Sequence, residues 1–216
     1  GRISPAEGLL RLRRVADAPN TYRTGYNAFV FSLCGVAFGV LLGVSWLEVF
    51  LCGVLGLLTY GFEGLARRIP GSGHMLEFFV TANAAFLAGI TAALLPGTHA
   101  IALTICAVVI YLPGFGLTIA PREILLGDTL SGIIYFTNAF FVSIKMLFGF
   151  FIGFACANYL LTVPAVAPVV GVPHLFTWLF APLLPLCVGI FFNVSPNRLW
   201  LVVAGALLTW TGVEAG

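Results

Sequence analysis

Apolar runs about twenty residues long follow one another through this chain, separated by loops of only a few residues. A helix of about 20 apolar residues spans the roughly 30 Å hydrocarbon core of a bilayer with its backbone hydrogen bonds made internally. A transmembrane barrel needs alternation over strands of roughly ten residues, and these runs are continuous. The sequence is 60% hydrophobic and 8% charged, against roughly 25% charged in a soluble domain. A soluble fold could not cover that much apolar surface. The expected fold class is an all-α polytopic membrane protein with about seven transmembrane helices, at residues 26–44, 47–66, 75–95, 98–119, 132–161, 177–194 and 198–213.

Charge placement orients these spans. Arg2, Arg11, Arg13, Arg14 and Arg23 mark the N-terminal end as cytoplasmic, and Arg67, Arg68 and Arg122 fall on the same side. The turns after the first and third spans carry no Lys or Arg. Ser4-Pro5-Ala6-Glu7 is a capping box with Pro at the first helical position, so a short basic helix should run to about Asp17 and stop before Pro19. The expected organisation is a cytoplasmic N-terminal remnant (1–22), a first transmembrane half of five spans (23–161), a proline-rich linker (162–175) with Pro164, Pro168 and Pro173, and the start of a second half (176–216).

A repeat underlies that division. Residues 38–60 align without gaps on residues 188–210, an offset of 150, with Gly39 on Gly189, Val44-Ser45 on Val194-Ser195 and Leu57-Leu58-Thr59 on Leu207-Leu208-Thr209. An odd number of spans separates the copies, so they should face opposite ways. Glu48 in the first turn is replaced by Arg198 in the second, as positive-inside bias requires of an inverted repeat. The expectation is a five-helix inverted repeat whose second copy is truncated.

The one long interruption reads LPGFGLTIAPREILLGDTLSG, residues 112–132. Pro113, Gly114 and Pro121 are helix breakers, and Gly114 and Gly116 permit unusual backbone angles. Span four should kink or end at Pro113. Freed backbone groups at that depth must meet protein, water or solute, and Thr118 adds a hydroxyl beside Arg122, Glu123 and Asp128. Two readings fit: a broken helix that lines a solute site, or an ordinary cytoplasmic loop in which Arg122 is a topology signal and Asp128 an N-cap. They are compatible.

Lys145 lies inside span five, where an ammonium at the bilayer centre costs about 2.5–3.5 kcal/mol on insertion scales. It should face the bundle, paired across helices or lining a wet cavity. Ser131, Asn138 and Lys145 recur every seven residues as one polar stripe, and Glu63, Glu123 and Asp128 are the candidate counter-charges.

The remaining polar residues support bland roles. Thr81, Asn83 and Asn158 suit interhelical hydrogen bonds, and Glu63 precedes Arg67 by four residues and suits a helical ion pair. Gly35, Gly39 and Gly43, and Gly149 with Gly153, are GxxxG packing signals. The five cysteines lie in apolar runs without a CxxC pair, and His74, His99 and His174 have no companions at metal-ligand spacing. No cofactor or metal site, catalytic nucleophile, dinucleotide fingerprint or nucleic-acid surface is indicated, so the chain does not read as an enzyme.

The N-terminal Ser-Pro-Ala-Glu helix ending near Pro19 and Tyr22, then Pro113-Gly114, Thr118, Arg122, Gly127-Asp128 and Ser131-Gly132, resemble the threonine/serine exporter family. Phe192-Asn193-Val194, Gly205 and Trp210 resemble the opening of that family's second half. The resemblance implies export of small hydrophilic metabolites such as threonine and serine, driven by the proton gradient, with succinate associated with two-component relatives. It also implies about ten spans in two halves, on one chain or two, in the plasma (inner) membrane. Lys145 matches no family motif. The expected function is therefore a proton-coupled exporter of small amino acids, with dicarboxylate export or a non-transporting membrane scaffold as alternatives. The candidate substrate or coupling residues are Pro113, Gly114, Thr118, Arg122, Glu123, Asp128, Ser131, Asn138 and Lys145. The expected partners are a small-molecule substrate, protons, the lipid bilayer, and the rest of the second half on this chain or a partner subunit.

Overall fold

The computed structural model of the protein describes residues 24–69, 72–164, 171–173, 175–192 and 194–215. The basic helix expected before Asp17 and most of the proline-rich linker lie outside the described residues. Every regular element among those residues is helical: α1 (Thr24–Leu41), α2 (Trp46–Ala66), α3 (Leu76–Leu94), α4 (Ala100–Val108), α5 (Gly114–Leu125), α6 (Thr129–Leu160), α7 (Leu175–Phe180), α8 (Leu183–Phe191) and α9 (Leu199–Ala215).

Local chemistry sets the boundaries. Gly43 adopts φ +68°, a conformation that costs a glycine little, and turns the chain out of α1. Ser45 then caps α2 through a reciprocal box with Glu48. Gly127, at φ +89°, makes the turn into α6. Asp128 caps α6, its carboxylate accepting from the Ser131 amide at 3.2 Å and the Ser131 hydroxyl at 2.9 Å.

Among the described residues, three helices are long and apolar enough to cross a membrane: Trp46–Ala66, Gly73–Leu94 and Thr129–Leu160. A fourth span forms if α4 and its 3-10 extension to Tyr111 are taken together with α5, across a 56° bend. The seven expected spans are therefore not all found as continuous helices. α1 falls short because Gly43 closes it early, and the span expected at 177–194 is split into α7 and α8 at Ala181-Pro182. Pro182 has no N–H to offer a helical ladder.

The core among the described residues has three centres, the smallest of them around Val40, Val44, Val49 and Val172. Cys52, Leu55, Val80, Ala84, Leu103, Ala107 and Met146 bring α2, α3, α4 and α6 together. Val30, Phe31, Cys34, Ile110, Cys187 and Ile190 join α1 and the end of α4 to α8. Phe31 is the hub of the second centre, its ring centroid 5.6 Å from Tyr60 and 5.7 Å from both Tyr111 and Phe191.

α3 and α6 run parallel in close contact, because Gly149 and Gly153 present bare backbone to Phe78 and Ala82. Gly35 and Gly39 do the same for α1 against Cys52. Gly43, the third member of that expected motif, is a turn residue instead. Four cysteines are buried as the sequence implies, whereas Cys156 is exposed, and all five are free thiols.

The two segments aligned at an offset of 150 share turn hydrogen bonds. At the first turn the Leu42 amide donates to the Phe38 carbonyl (2.9 Å) and the Val44 amide to the Gly39 carbonyl (3.3 Å). At the second, Phe192 donates to Val188 (3.0 Å) and Val194 to Gly189 (2.9 Å), the same positions shifted by 150.

Candidate functional site

The break after α4 is built by Pro113. The last turn before it is 3-10 (Val109–Tyr111), and the Gly114 amide folds back onto the Leu112 carbonyl at 2.7 Å. Helix α5 then starts on Pro113, and its first i→i−4 bond runs from the Leu117 amide to the Pro113 carbonyl. Pro121, expected to break the chain, is instead carried inside α5. Gly114 and Gly116 are helical rather than unusual in backbone angle. Gly116 serves close approach, facing Ala139 and the Tyr135 carbonyl of α6. Gly132 of α6 meets Ala120 and Ile124 of α5 in the same way, so α5 folds back along the start of α6 as a tight helical hairpin.

A cavity of about 320 Å³ opens at this break. Glu77 of α3, Tyr111, Leu112 and Pro113 of the break, Phe115 and Gly116 of α5, Tyr135 and Asn138 of α6, and Phe192 after α8 are among its lining residues. The polar residues of its lining are Glu77, Asn138 and the two tyrosines, and the start of a helix joins them. The first-turn N–H groups of a helix have no partner within it and carry partial positive charge. Two of them, on Phe115 and Gly116, belong to residues of the lining.

Lys145 is tied to this site. Its ammonium donates to Glu77 at 2.8 Å and to the His74 carbonyl at 3.0 Å. The counter-charge is therefore Glu77, not Glu63, Glu123 or Asp128. Parallel packing of α3 on α6 brings residues 77 and 145 to one level, a relation that sequence spacing alone does not carry. The pair stands at the first turn of α3, so Lys145 is near the end of that span rather than beside its middle. Glu63 is occupied by Arg67, at 2.6 Å, as the i,i+4 spacing implies.

Of the expected site residues, Pro113 and Asn138 line the cavity, Gly114 lies between lining residues, and Lys145 holds the lining carboxylate. The others lie elsewhere on the hairpin. Thr118 returns its hydroxyl to the Gly114 and Phe115 carbonyls of its own helix, each at 3.0 Å. Arg122 meets its neighbour Glu123 at 3.4 Å on an exposed face. Asp128 and Ser131 are engaged in the cap. Tyr111, Tyr135 and Glu77 were not singled out by sequence. Glu77, the third residue of the expected third span, offered the one usable signal, a carboxylate in an apolar run.

Among the described residues no cluster of His, Cys, Asp and Glu suits a metal ion. Asn158 caps the end of α6 by accepting from the Val163 amide at 3.1 Å. Thr81 and Asn83, expected to bridge helices, instead keep buried side-chain oxygens without hydrogen-bond partners.

No curated protein and no solved structure matches the chain. The sequence model of one family, ThrE, described as "Putative threonine/serine exporter", matches residues 1–157. That span includes the break, the hairpin, the Lys145–Glu77 pair and every cavity residue except Phe192. With three membrane-length helices beside a match over most of its length, this chain is an integral membrane protein of the threonine/serine exporter family.

Proposed function

We propose that the protein exports small hydrophilic amino acids of the threonine/serine type, coupled to protons, through a site at the α4–α5 break. The observation that carries this reading is the composition of the cavity there. The start of α5 belongs to its lining, as do Glu77 of α3 and Asn138 of α6. Broken membrane helices with half-helix starts aimed at anionic groups are how secondary transporters bind carboxylates. The α5 start would take the substrate carboxylate, Glu77 the ammonium, and Asn138 the side-chain hydroxyl. Arg122, Glu123 and Asp128 then belong to the hairpin's far end, where they would guide substrate toward the site.

The inverted arrangement of two halves, the further spans and the cytoplasmic placement of the basic end belong to the same proposal. Identical turn hydrogen bonds at 38–44 and 188–194 support the repeat, as does the packing of α1 on α8, its counterpart.

The test is efflux of labelled threonine, serine and succinate from vesicles carrying the full-length protein. Threonine and serine should move, and Glu77→Gln and Asn138→Leu should each slow them at least tenfold at equal protein levels. Saturable succinate efflux without threonine efflux would establish the dicarboxylate alternative. Absence of all three fluxes would leave the scaffold reading in place.

A further inference from the structure

The end of α4 opposite the break carries a second polar cluster that the family assignment does not explain. Glu48, in the first turn of α2, is completely buried. A buried carboxylate is tolerated only when its oxygens are hydrogen-bonded or paired. Here Oε2 accepts from the Ser45 amide and hydroxyl, both at 2.9 Å. Oε1 accepts from the His99 amide at 2.6 Å and faces His99 Nδ1 at 2.8 Å. The carboxylate thus joins two turns far apart in sequence, the α1–α2 turn through Ser45 and the α3–α4 turn through His99.

The imidazole is the exposed half of this pair. With Nδ1–H directed at the carboxylate, Nε2 is left with its lone pair, and among the described residues no protein group bonds to it. The His99 side chain is 24% exposed and lines a cavity of about 510 Å³. Glu48 does not reach that cavity. Its other walls include Leu42, Val44, Ile101, Ala102 and Ile105, so a proton entering it meets one titratable acceptor. The packed elements bring no competing charge. Among the described residues α1, α4 and residues 171–180 hold no charged side chain, and those of α3 lie at its far end. The titratable side chains in the neighbouring turns are the thiols of Cys52 on α2 and Cys106 on α4, the latter within electrostatic reach of Glu48.

We infer that His99 is a proton-binding site, with Glu48 its fixed counter-charge. A hydronium ion in the cavity gives its proton to Nε2, its O–H bond breaking to leave water, and the neutral imidazole's hydrogen bond to the carboxylate becomes an ion pair that tightens the join between the two turns. Unperturbed histidine titrates near pH 6.5, so small environmental changes suffice to bring it into use. The role in coupled transport rests on the export reading, whereas proton binding itself does not.

The experiment therefore has two arms. In the first, nitrogen-15 imidazole spectra of the solubilised protein are followed from pH 5 to 8.5. The chain has three histidines, and His99→Gln identifies the signal. His99 should pass from neutral to cationic within this range, and Glu48→Gln should lower its midpoint by at least one pH unit. Glutamine still completes the capping box, so this variant keeps the helix start and carries the test if His99→Gln folds poorly. A ring that stays neutral throughout, or a midpoint unmoved by Glu48→Gln, overturns the proposal. In the second arm, a pH dye reports threonine-evoked proton movement in vesicles. His99→Gln should lose it at least tenfold while threonine counterflow persists, and proton movement retained within twofold overturns the coupling role. If the wild-type protein shows no counterflow, the export reading fails and the first arm still decides proton binding.

Discussion

Lys145 Nζ lies 2.8 Å from Glu77 Oε2, a cross-helix ion pair that fixes the middle of the longest helix against the first turn of α3. Both side chains are about three-quarters buried, so each charge needs the other. Removing one partner leaves the second charge partly desolvated, whereas replacing both by apolar groups leaves none. Lys145→Met and Glu77→Met should each lower stability by about 1–2 kcal/mol, and the double variant Lys145→Met/Glu77→Met should recover most of it. A double-mutant cycle on thermal unfolding in detergent should give a coupling of about 1 kcal/mol. Additive losses would mean that the pair contributes nothing beyond its separate side chains.

The contact of α3 with α6 depends on absent side chains. A Cβ at Gly153 would run into the Ala82 backbone, and one at Gly149 into the Phe78 carbonyl, whereas one at Gly114 meets nothing within 4 Å. Backbone cannot swing aside as a flexible side chain does, so the helices would have to part. Gly153→Ala should cost about 1–3 kcal/mol, and Gly114→Ala should be near neutral. Comparing folded yields and unfolding temperatures of the two variants checks this. An equal response would dissociate the stability loss from packing.

Asp128 separates a structural role from a charge role. Its carboxylate accepts the Ser131 amide at the start of α6, and asparagine caps as well as aspartate does. Asp128→Ala should cost about 1 kcal/mol, while Asp128→Asn should remain within about 0.5 kcal/mol of wild type. Unfolding measurements on both variants decide. Equal destabilisation would show that the charge, not the cap, matters to stability.

The legible part of this protein is the part written locally. Apolar runs located α2, α3 and α6 to within a few residues, Pro113 marked the break, Asp128 the cap and Gly149 with Gly153 a helix contact. Glu63–Arg67 was readable because helical spacing fixes it. Lys145–Glu77 and Glu48–His99 span 68 and 51 residues, and such pairings depend on which helices neighbour one another. Glu48 did carry a local signal, Ser45 three residues before it at the head of an apolar run, which reads as a capping box. The splitting of the sixth expected span at Pro182 was equally local, outweighed by the hydrophobicity of its flanks. The polar residues of 118–131 looked like a site because they are close in sequence. Most of them satisfy their own helix ends, and the cavity gathers residues from α3, the break, α5 and α6 instead.

The break itself yields the sharpest prediction. Pro113 cannot donate to the ladder, and a proline in a helix interior costs about 3 kcal/mol relative to alanine. Pro113→Ala restores a donor where α4 gives way to α5, so the two segments gain a route to one continuous helix. Straightening the 56° bend would draw the start of α5 away from Glu77 and Asn138 and dismantle the cavity. The variant should therefore be at least as stable as wild type yet move threonine at least tenfold more slowly. That opposition of stability and activity distinguishes a built break from a tolerated one. The measurement pairs unfolding temperature with vesicle efflux at matched protein levels. A variant that is more stable and transports normally would show that the break is no part of the site.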